Sequence, residues 1–344
     1  MSNILAVIPA RSQSKGIIDK NIRLFNGKPL LAYSIKHALS SNKINRVIVS
    51  TDSEKYAEIA KEFGAEVPFL RPNAIAQDDS LDIDVFTHAL NYLRKEENYL
   101  PEMCVHLRPT HPLRHISDID TAVQILLDNP QFDSVRSVSP TKQTPYKMWT
   151  IDQEGRLAPI ATCHIPEAYN APRQMLPQVW TQNANLDIVR SWVILGKHSM
   201  TGTNIAAFKQ DFDFDIDSES EFIRAELFLE LFEKLQQNKK LIINFDIDGI
   251  IANKTIDNQY ANAAPRVVVI NIVNYLYDAG HHIILFTARG SATGIDWSEV
   301  TRHQLDRWGV KYHELKFGKI AADIYIDDRL LTIGELQWLT NSTI

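Results

Sequence analysis

The 344-residue sequence has little cysteine, no excess of positive charge and no long apolar run. Its two cysteines, Cys104 and Cys163, are too few for a disulfide framework or a closed zinc site, and they favour a reducing cytoplasm. The formal net charge of -6 argues against a general nucleic-acid or membrane-surface binder, because such proteins usually carry a basic excess. No apolar stretch is long enough to cross a bilayer, and the N-terminus lacks the basic leader of a signal peptide. We therefore expect a cytoplasmic globular protein without nucleic-acid or membrane partners.

The length of the chain predicts two domains, since 344 residues exceed one ordinary hydrophobic core. A long amphipathic helix is predicted over residues 219–237, and it stops in a polar stretch that ends at Lys240. A new apolar strand begins at Leu241. We place the boundary there, with one domain over residues 1–238 and a second over residues 239–344.

Short apolar runs alternate with helical patterns in both predicted domains, which is typical of an α/β fold. The predicted strands cover residues 4–8, 47–50, 103–107, 241–245, 283–286 and 324–326. The predicted helices cover residues 30–39, 56–63, 81–93 and 117–127, the last of them capped by Ser117. We expect two parallel sheets, each flanked by helices, with ligands at the carboxyl ends of the strands. A β-rich insertion is expected around residues 140–200.

The first strand leads directly into a basic loop, residues 9–16 (PARSQSKG), which Lys20 and Asn21 follow. Small residues let a backbone approach phosphates, and the loop's cations supply the charge that a triphosphate needs. A basic loop after a strand is also compatible with plain solvation. Further polar segments follow other strands and favour an anion site: residues 50–52 (STD), Arg71, Asp78 with Ser80, and residues 108–114 (RPTHPLR).

Together these segments resemble the CMP-sialic acid synthetase family, the acylneuraminate cytidylyltransferases, over residues 1 to about 235. The resemblance implies a nucleotide-diphospho-sugar transferase-like Rossmann fold, CTP and an acidic sugar as substrates, and a homodimer whose insertion serves as arm and lid. It implies that Arg11 and Lys20 are catalytic. The residues implied to bind CTP are Arg11, Ser14, Lys15, Lys20, Asn21, Arg71, Ser80 and Thr110. Those expected to face the sugar acid are Arg108, Lys147, Arg173 and Gln174.

The same resemblance identifies residues 214–217 (FDID) as a magnesium site, with Asp215 and Asp217 as ligands. Carboxylate oxygens are the hard ligands that Mg²⁺ prefers, and the ion would polarise the α-phosphorus. Carboxylates two residues apart on an extended strand point to opposite faces, so the pair requires a turn. An acidic helix N-terminus, stabilised by the helix dipole, is the alternative interpretation.

Three positions depart from the family pattern and concern the acceptor. Arg108 stands where the family usually has glutamine, His111 replaces a usual serine, and residues 182–187 (QNANLD) lack the expected Asn-Gly pair. One interpretation is that Arg108 binds an additional anionic group on the acceptor, such as that of a phosphonate or a phosphorylated compound. The other is that Arg108 supports the turn of residues 109–114 through a carboxylate of the protein.

The second predicted domain carries polar residues at the ends of its strands: residues 246–249 (DIDG), residues 287–290 (TARG), Lys319 and residues 327–328 (DD). This order resembles the haloacid dehalogenase superfamily over residues 241 to about 330, with the capsule-biosynthesis phosphatases most similar.

The resemblance implies hydrolysis of a phosphate monoester. It implies that Asp246 is the nucleophile, that Asp248 is the general acid/base, and that Thr287 and Lys319 hold the phosphoryl group. Asp246, Asp248 and Asp327 would bind Mg²⁺. Ile250 departs from the commoner threonine, and a purely structural or regulatory domain is the alternative.

Overall fold

The computed structural model describes residues 3–13, 16–141, 143–210, 214–320, 322 and 329–336. The predicted site residues Ser14, Lys15 and Asp327 lie outside the described residues, as does the strand predicted over residues 324–326. The chain forms two compact units, residues 1–225 and 226–344. The division falls within a helix, and the boundary predicted at residue 238 stays a prediction.

Ten strands lie in the described residues of the first unit. They are β1 (Ile4–Pro9), β2 (Leu24–Phe25), β3 (Lys28–Pro29), β4 (Arg46–Ser50), β5 (Met103–His106), β6 (Ser134–Pro140), β7 (Trp149–Ile151), β8 (Leu157–Pro159), β9 (Trp180–Arg190) and β10 (Ile205–Lys209). Six of them form the central sheet in the order β10-β6-β9-β5-β1-β4. All pairings in this sheet are parallel except those of β9, which runs antiparallel to β5 and β6.

The helices of this unit cover both faces of the sheet because each buries one apolar stripe. They are α1 (Leu30–Ser40), α2 (Glu54–Glu62), α3 (Asp82–Glu96), α4 (Ile116–Asp128) and α5 (Ser191–Lys197), and α6 (Glu219–Gln236) begins here. One core cluster unites β1 with α1, through Ile35, and with α4, through Val123. A second unites the other face of β1, through Val7, with α3, through Phe86. The prediction of an α/β fold with helices on both faces of the sheet is confirmed.

Two details differ from the predictions. Ser117 lies inside α4, whose N-terminal flanking residue is His115, so the predicted Ser117 cap is wrong. The antiparallel strand β9 was not anticipated either. It reaches the sheet directly from the insertion between β6 and β9, and antiparallel neighbours require no crossover helix.

The second unit has a parallel sheet in the order β11-β12-β13, formed by β11 (Ile242–Asp246), β12 (His282–Phe286) and β13 (Glu314–Lys316). Its helices are α7 (Val267–Asp278) and α8 (Ser298–Arg307). Their buried faces pack with the strands in one cluster, to which Val273 and Leu305 of the helices and Phe245 and Leu285 of the sheet belong. Among the described residues, no helix is long and apolar enough to cross a membrane.

Candidate active sites

The basic loop after β1 is held by groups that approach it from the next strand and helix. Asp52, just past β4, accepts hydrogen bonds from the backbone N of Ser12 (2.8 Å) and from its hydroxyl (2.6 Å). The Asn21 amide donates to the Arg11 carbonyl (3.0 Å), and the Tyr56 hydroxyl donates to the Ser12 carbonyl (3.3 Å). The described part of the loop is therefore held in place by hydrogen bonds to other parts of the unit.

The loop meets the acidic segment that precedes α6. Lys20 Nζ donates to the Ile216 carbonyl (2.9 Å) and lies 3.1 Å from Asp217 Oδ1. The Ile216 N donates to the carbonyl of Thr110 (3.1 Å), which brings the turn after β5 to the same place. Gly16 packs so closely that an added Cβ would lie 2.7 Å from the Asp217 carbonyl oxygen. Three segments predicted to share a site thus converge on residues 215–217.

The two carboxylates of this segment have different surroundings. Asp215 Oδ1 is buried and has no hydrogen-bond partner within the part of the chain that the structure describes, with His111 Nδ1 3.7 Å away. The Asp217 side chain is 74% exposed and pairs with Lys20. An unsatisfied buried carboxylate oxygen is costly in isolation and suits a hard cation such as Mg²⁺. Asp215 and Asp217 therefore fit the predicted ion, although the described residues contain no cluster of three or more potential metal ligands.

Other predicted CTP residues are engaged nearby. Arg71 is buried and donates from Nε to the Ser50 hydroxyl (3.1 Å) and from Nη2 to the Ser50 carbonyl. Burial lowers the pKa of Arg71 to about 10, so the side chain stays charged at neutral pH. Arg11 pairs with Asp78, and the Ser80 hydroxyl accepts from the Gln77 backbone N (2.8 Å).

Arg108 pairs with carboxylates of the protein. Its guanidinium lies 3.0 Å from Asp187 Oδ2 and 3.1 Å from Asp82 Oδ2, and it donates to the Ala184 carbonyl (2.9 Å). Asp187 is buried and also accepts from Arg136 Nε (2.8 Å). This geometry favours the second interpretation, in which Arg108 supports the turn through carboxylates of the protein, over the first, in which it binds an anionic group of the acceptor.

The segment that lacks the Asn-Gly pair forms an irregular bulge in β9. Residues 183–186 face a single residue of β6, Ser137, whose hydroxyl donates to Asn183 Oδ1 (2.5 Å). Ala184 adopts a φ of 56°, a left-handed conformation that L-residues other than glycine, asparagine and aspartate seldom adopt. Arg114 donates to the Asn185 carbonyl (2.7 Å), and burial lowers its pKa to about 9. The bulge thus anchors the turn of residues 108–114.

The remaining predicted sugar-acid residues lie in the insertion. Lys147 Nζ donates to the Tyr169 carbonyl (3.2 Å), and Arg173 donates to the Thr141 carbonyl (3.4 Å). Gln174 is exposed. Their role in acceptor binding stays a prediction.

In the second unit, two predicted residues meet at the end of β11. Lys319 Nζ lies 2.6 Å from Asp246 Oδ2, and Asp246 Oδ1 accepts from the backbone N of Ile247 (2.9 Å). The Asp246 side chain remains 32% exposed and is accessible to a substrate. The pairing of a carboxylate with a lysine at a strand end agrees with the predicted phosphoryl site.

Asp248 is held by a residue to which the sequence assigned no role. Arg289 donates from Nε to Asp248 Oδ2 (2.9 Å) and from Nη2 to Asp248 Oδ1 (2.8 Å). Thr287 is buried, and its hydroxyl lies 3.4 Å from Asp248 Oδ2. Both oxygens of Asp248 are thus engaged, so a fit of Asp248 to Mg²⁺ is not supported. The sequence contains Arg289 in the run of residues 287–290 (TARG), but no local pattern predicts its pairing with Asp248, which lies 41 residues earlier.

Comparison with known proteins agrees with the fold of the first unit. The fold resembles that of a solved CMP:2-keto-3-deoxy-manno-octonic acid synthetase complexed with CTP, with a TM-score of 0.51 and 15% identity, covering 67% of this chain and 99% of the other. The first unit therefore has the α/β fold of a nucleotidyltransferase. The chain belongs to the cytidylyltransferase family, whose family model matches residues 5–247.

Two similar relatives come from Campylobacter. The post-translational flagellin modification protein B of Campylobacter coli is 34% identical over 226 residues, which are 64% of this chain and 93% of the relative. The CMP-N,N'-diacetyllegionaminic acid synthase of Campylobacter jejuni is 33% identical over 235 residues, 67% of this chain and 97% of the relative. The expectation of a cytidylyltransferase is confirmed.

Proposed function

We propose that the first unit transfers the cytidylyl group of CTP to an acidic sugar of the nonulosonic acid type and releases pyrophosphate. The observation that carries the proposal is the convergence of Lys20, Gly16 and Thr110 on residues 215–217. A triphosphate bound by the loop would then lie next to carboxylates able to hold a divalent ion. The legionaminic acid synthase among the relatives supports this class of acceptor.

In this mechanism the protein mainly positions the substrates and neutralises charge. Lys20 and Arg11 would contact the triphosphate, while Asp52 keeps the loop in place through Ser12. Mg²⁺ held by Asp215 and Asp217 would neutralise charge that develops at the phosphates. The anomeric hydroxyl of the acceptor attacks the α-phosphorus, and the bond to pyrophosphate breaks.

The test is pyrophosphate release from CTP with a panel of acceptors that includes N,N'-diacetyllegionaminic acid, N-acetylneuraminic acid and a phosphonate. We expect activity with a nonulosonic acid, and Asp217→Asn should lower kcat/KM at least about a hundredfold, because the lost charge stabilisation is worth several kcal/mol. Activity with the phosphonate alone would favour the alternative acceptor class. Wild-type rates in Asp217→Asn would contradict the metal assignment.

We further propose that the second unit hydrolyses a phosphate monoester, with Asp246 as nucleophile and Lys319 neutralising the phosphoryl group. The 2.6 Å contact between these two side chains supports this function. Hydrolysis of p-nitrophenyl phosphate by the full chain, lost in Asp246→Asn with cytidylyl transfer intact, is the expected result. Equal hydrolysis by Asp246→Asn and wild type would leave a structural or regulatory role for this unit.

A further inference from the structure

Arg23 and Glu219 form an ion pair that joins the basic loop to the acidic segment from outside the candidate CTP site. The Arg23 guanidinium donates from Nη1 and from Nη2 to the two carboxylate oxygens of Glu219, each at 2.5 Å. A bidentate contact of this kind is stronger and more directional than a single ion pair. The guanidinium also lies 4.4 Å from the centre of the Phe222 ring, and Phe222 packs edge-to-face against Phe25. We call Arg23, Phe25, Glu219 and Phe222 the clamp.

On one side, the clamp is attached to the basic loop. Arg23 ends the single 3-10 turn Lys20–Ile22, and its backbone N donates to the Asp19 carbonyl (2.9 Å). The same turn contains Asn21, whose amide donates to the Arg11 carbonyl of the loop (3.0 Å). The position of Arg23 is therefore linked to that of the residues predicted to contact the triphosphate.

On the other side, the clamp is attached to the acidic segment. Glu219 is the first residue of α6 and follows Asp217 closely. The Glu221 carboxylate accepts hydrogen bonds from the backbone N of Asp217 (2.9 Å) and of Ser218 (2.8 Å), and the Ser218 hydroxyl accepts from the backbone N of Glu221 (3.3 Å). This reciprocal capping fixes the turn between the acidic segment and the helix. A displacement of Glu219 is consequently transmitted to Asp217.

The contacts inside the site are unsuited to hold the two segments together while substrates are bound. Lys20 contacts the Ile216 carbonyl and Asp217, but in the proposed mechanism its ammonium turns to the triphosphate and the Asp217 carboxylate turns to the divalent ion. The clamp uses none of these groups. It can therefore persist when the contacts of Lys20 are exchanged for substrate.

We propose that Arg23 and Glu219 are a positioning pair that couples the binding of CTP to the binding of the divalent ion. A triphosphate on the loop and carboxylates on the acidic segment can share one ion only at a fixed separation, and the pair holds that separation. Without the pair, each segment can still bind its own ligand, but the two binding events support each other less. The inference rests on the cytidylyl transfer proposed above.

The experiment measures the Kd of CTP by titration calorimetry on the full-length chain, with and without Mg²⁺. We expect Mg²⁺ to tighten CTP binding to the wild type at least about tenfold, within the usual range of coupling between two ligands. Glu219→Gln should reduce this tightening about fivefold, the size that a well-formed exposed ion pair supports. Its Kd without Mg²⁺ should stay close to the wild-type value, because Asp52 holds the loop independently of the clamp.

A matched control is available in the same unit. Arg46 contacts Glu66 in the same bidentate manner, from Nε (3.0 Å) and Nη2 (2.5 Å), and the Glu66 side chain is 53% exposed compared with 55% for Glu219. Arg46 begins β4 and so lies at the opposite end of that strand from the site. Glu66→Gln should lower the melting temperature about as much as Glu219→Gln and keep the wild-type effect of Mg²⁺.

Arg23→Gln provides a second, independent variant. It should reproduce the loss of tightening, and the double variant with Glu219→Gln should be no weaker than Arg23→Gln alone, because the two residues act as one pair. Additive losses would overturn the inference, as would an unchanged Mg²⁺ effect in Glu219→Gln or an equal loss in Glu66→Gln. If the wild type binds CTP without any effect of Mg²⁺, the coupling is absent and the inference is wrong. If the wild type does not bind CTP, the proposed cytidylyl transfer itself is wrong.

Discussion

Gly16 offers the most direct test of the candidate CTP site, because the structure defines what a single added carbon would contact. A Cβ at this position would lie 2.7 Å from the carbonyl oxygen of Asp217, whereas ordinary van der Waals contacts begin near 3.4 Å. The obstacle is backbone and not a flexible side chain, so it cannot rotate away. Gly16→Ala must therefore separate the basic loop from residues 215–217 by several tenths of an ångström.

The size of the effect follows from the sensitivity of phosphoryl chemistry to position. A displacement of about 1 Å in a positioned group costs on the order of a hundredfold in rate. We expect Gly16→Ala to lower kcat/KM for CTP about ten- to hundredfold, equivalent to roughly 1.4–2.7 kcal/mol. The fold should persist, because Gly16 is exposed and lies outside every helix and strand.

The assay is pyrophosphate release at varied CTP concentration, with thermal melting of each variant. Gly196→Ala is the matched control, since Gly196 lies in α5 with no atom within 4 Å of an added Cβ. That variant should keep wild-type activity and gain up to about 1 kcal/mol of stability from helix propensity. Wild-type kcat/KM in Gly16→Ala would refute the close approach of the loop to Asp217.

Three further predictions concern the first unit. Arg108→Gln should lower the melting temperature and raise the KM values for CTP and for the acceptor together, because it removes an ion-pair partner of buried Asp187. A rise in the KM for the acceptor alone would instead support the interpretation that Arg108 binds the acceptor. Ala184→Gly should stabilise the unit by roughly 0.5–1 kcal/mol in chemical denaturation, because it relieves a positive φ. Ala207→Gly, at an exposed position of β10, should destabilise it. Burial holds the pKa of His106 well below its usual value, so that below about pH 6.5 the unfolded chain binds a proton that the folded chain does not. The free energy of unfolding should therefore decrease as the pH is lowered from about 6.5, by up to about 1.4 kcal/mol per pH unit. His106→Leu should flatten this dependence in melts at a series of pH values.

The elements that the sequence predicts well are those with a local signal. The apolar run of β1 and the three-and-four spacing of α1 lie within a residue or two of their observed ends. Strand β9 is different, because its exposed first residues and buried second half give no uniform period. Its antiparallel direction depends on the insertion that precedes it, which no local pattern encodes.

The candidate sites show the same division. The loop of residues 9–16 and the acidic pair carry recognisable chemistry in consecutive residues. The partners that hold site residues in place lie far away in sequence, as Asp52 does from Ser12 in the first unit and Arg289 does from Asp248 in the second. Arg108 shows why type and position are insufficient, because a cation at a strand end serves a ligand or a buried carboxylate according to its neighbours.

Strand β9 joins two halves of the first unit's sheet that come from different parts of the chain. On one side lie β5, β1 and β4, and on the other lie β6 and β10. Residues as distant as Met103 and Arg190 must pair before the halves become one sheet. Such sequence-distant pairing carries a loop-closure cost that slows folding. During synthesis the earlier half therefore presents β5 as an open edge until β9 is made, and during that interval the edge is available for wrong strand pairing.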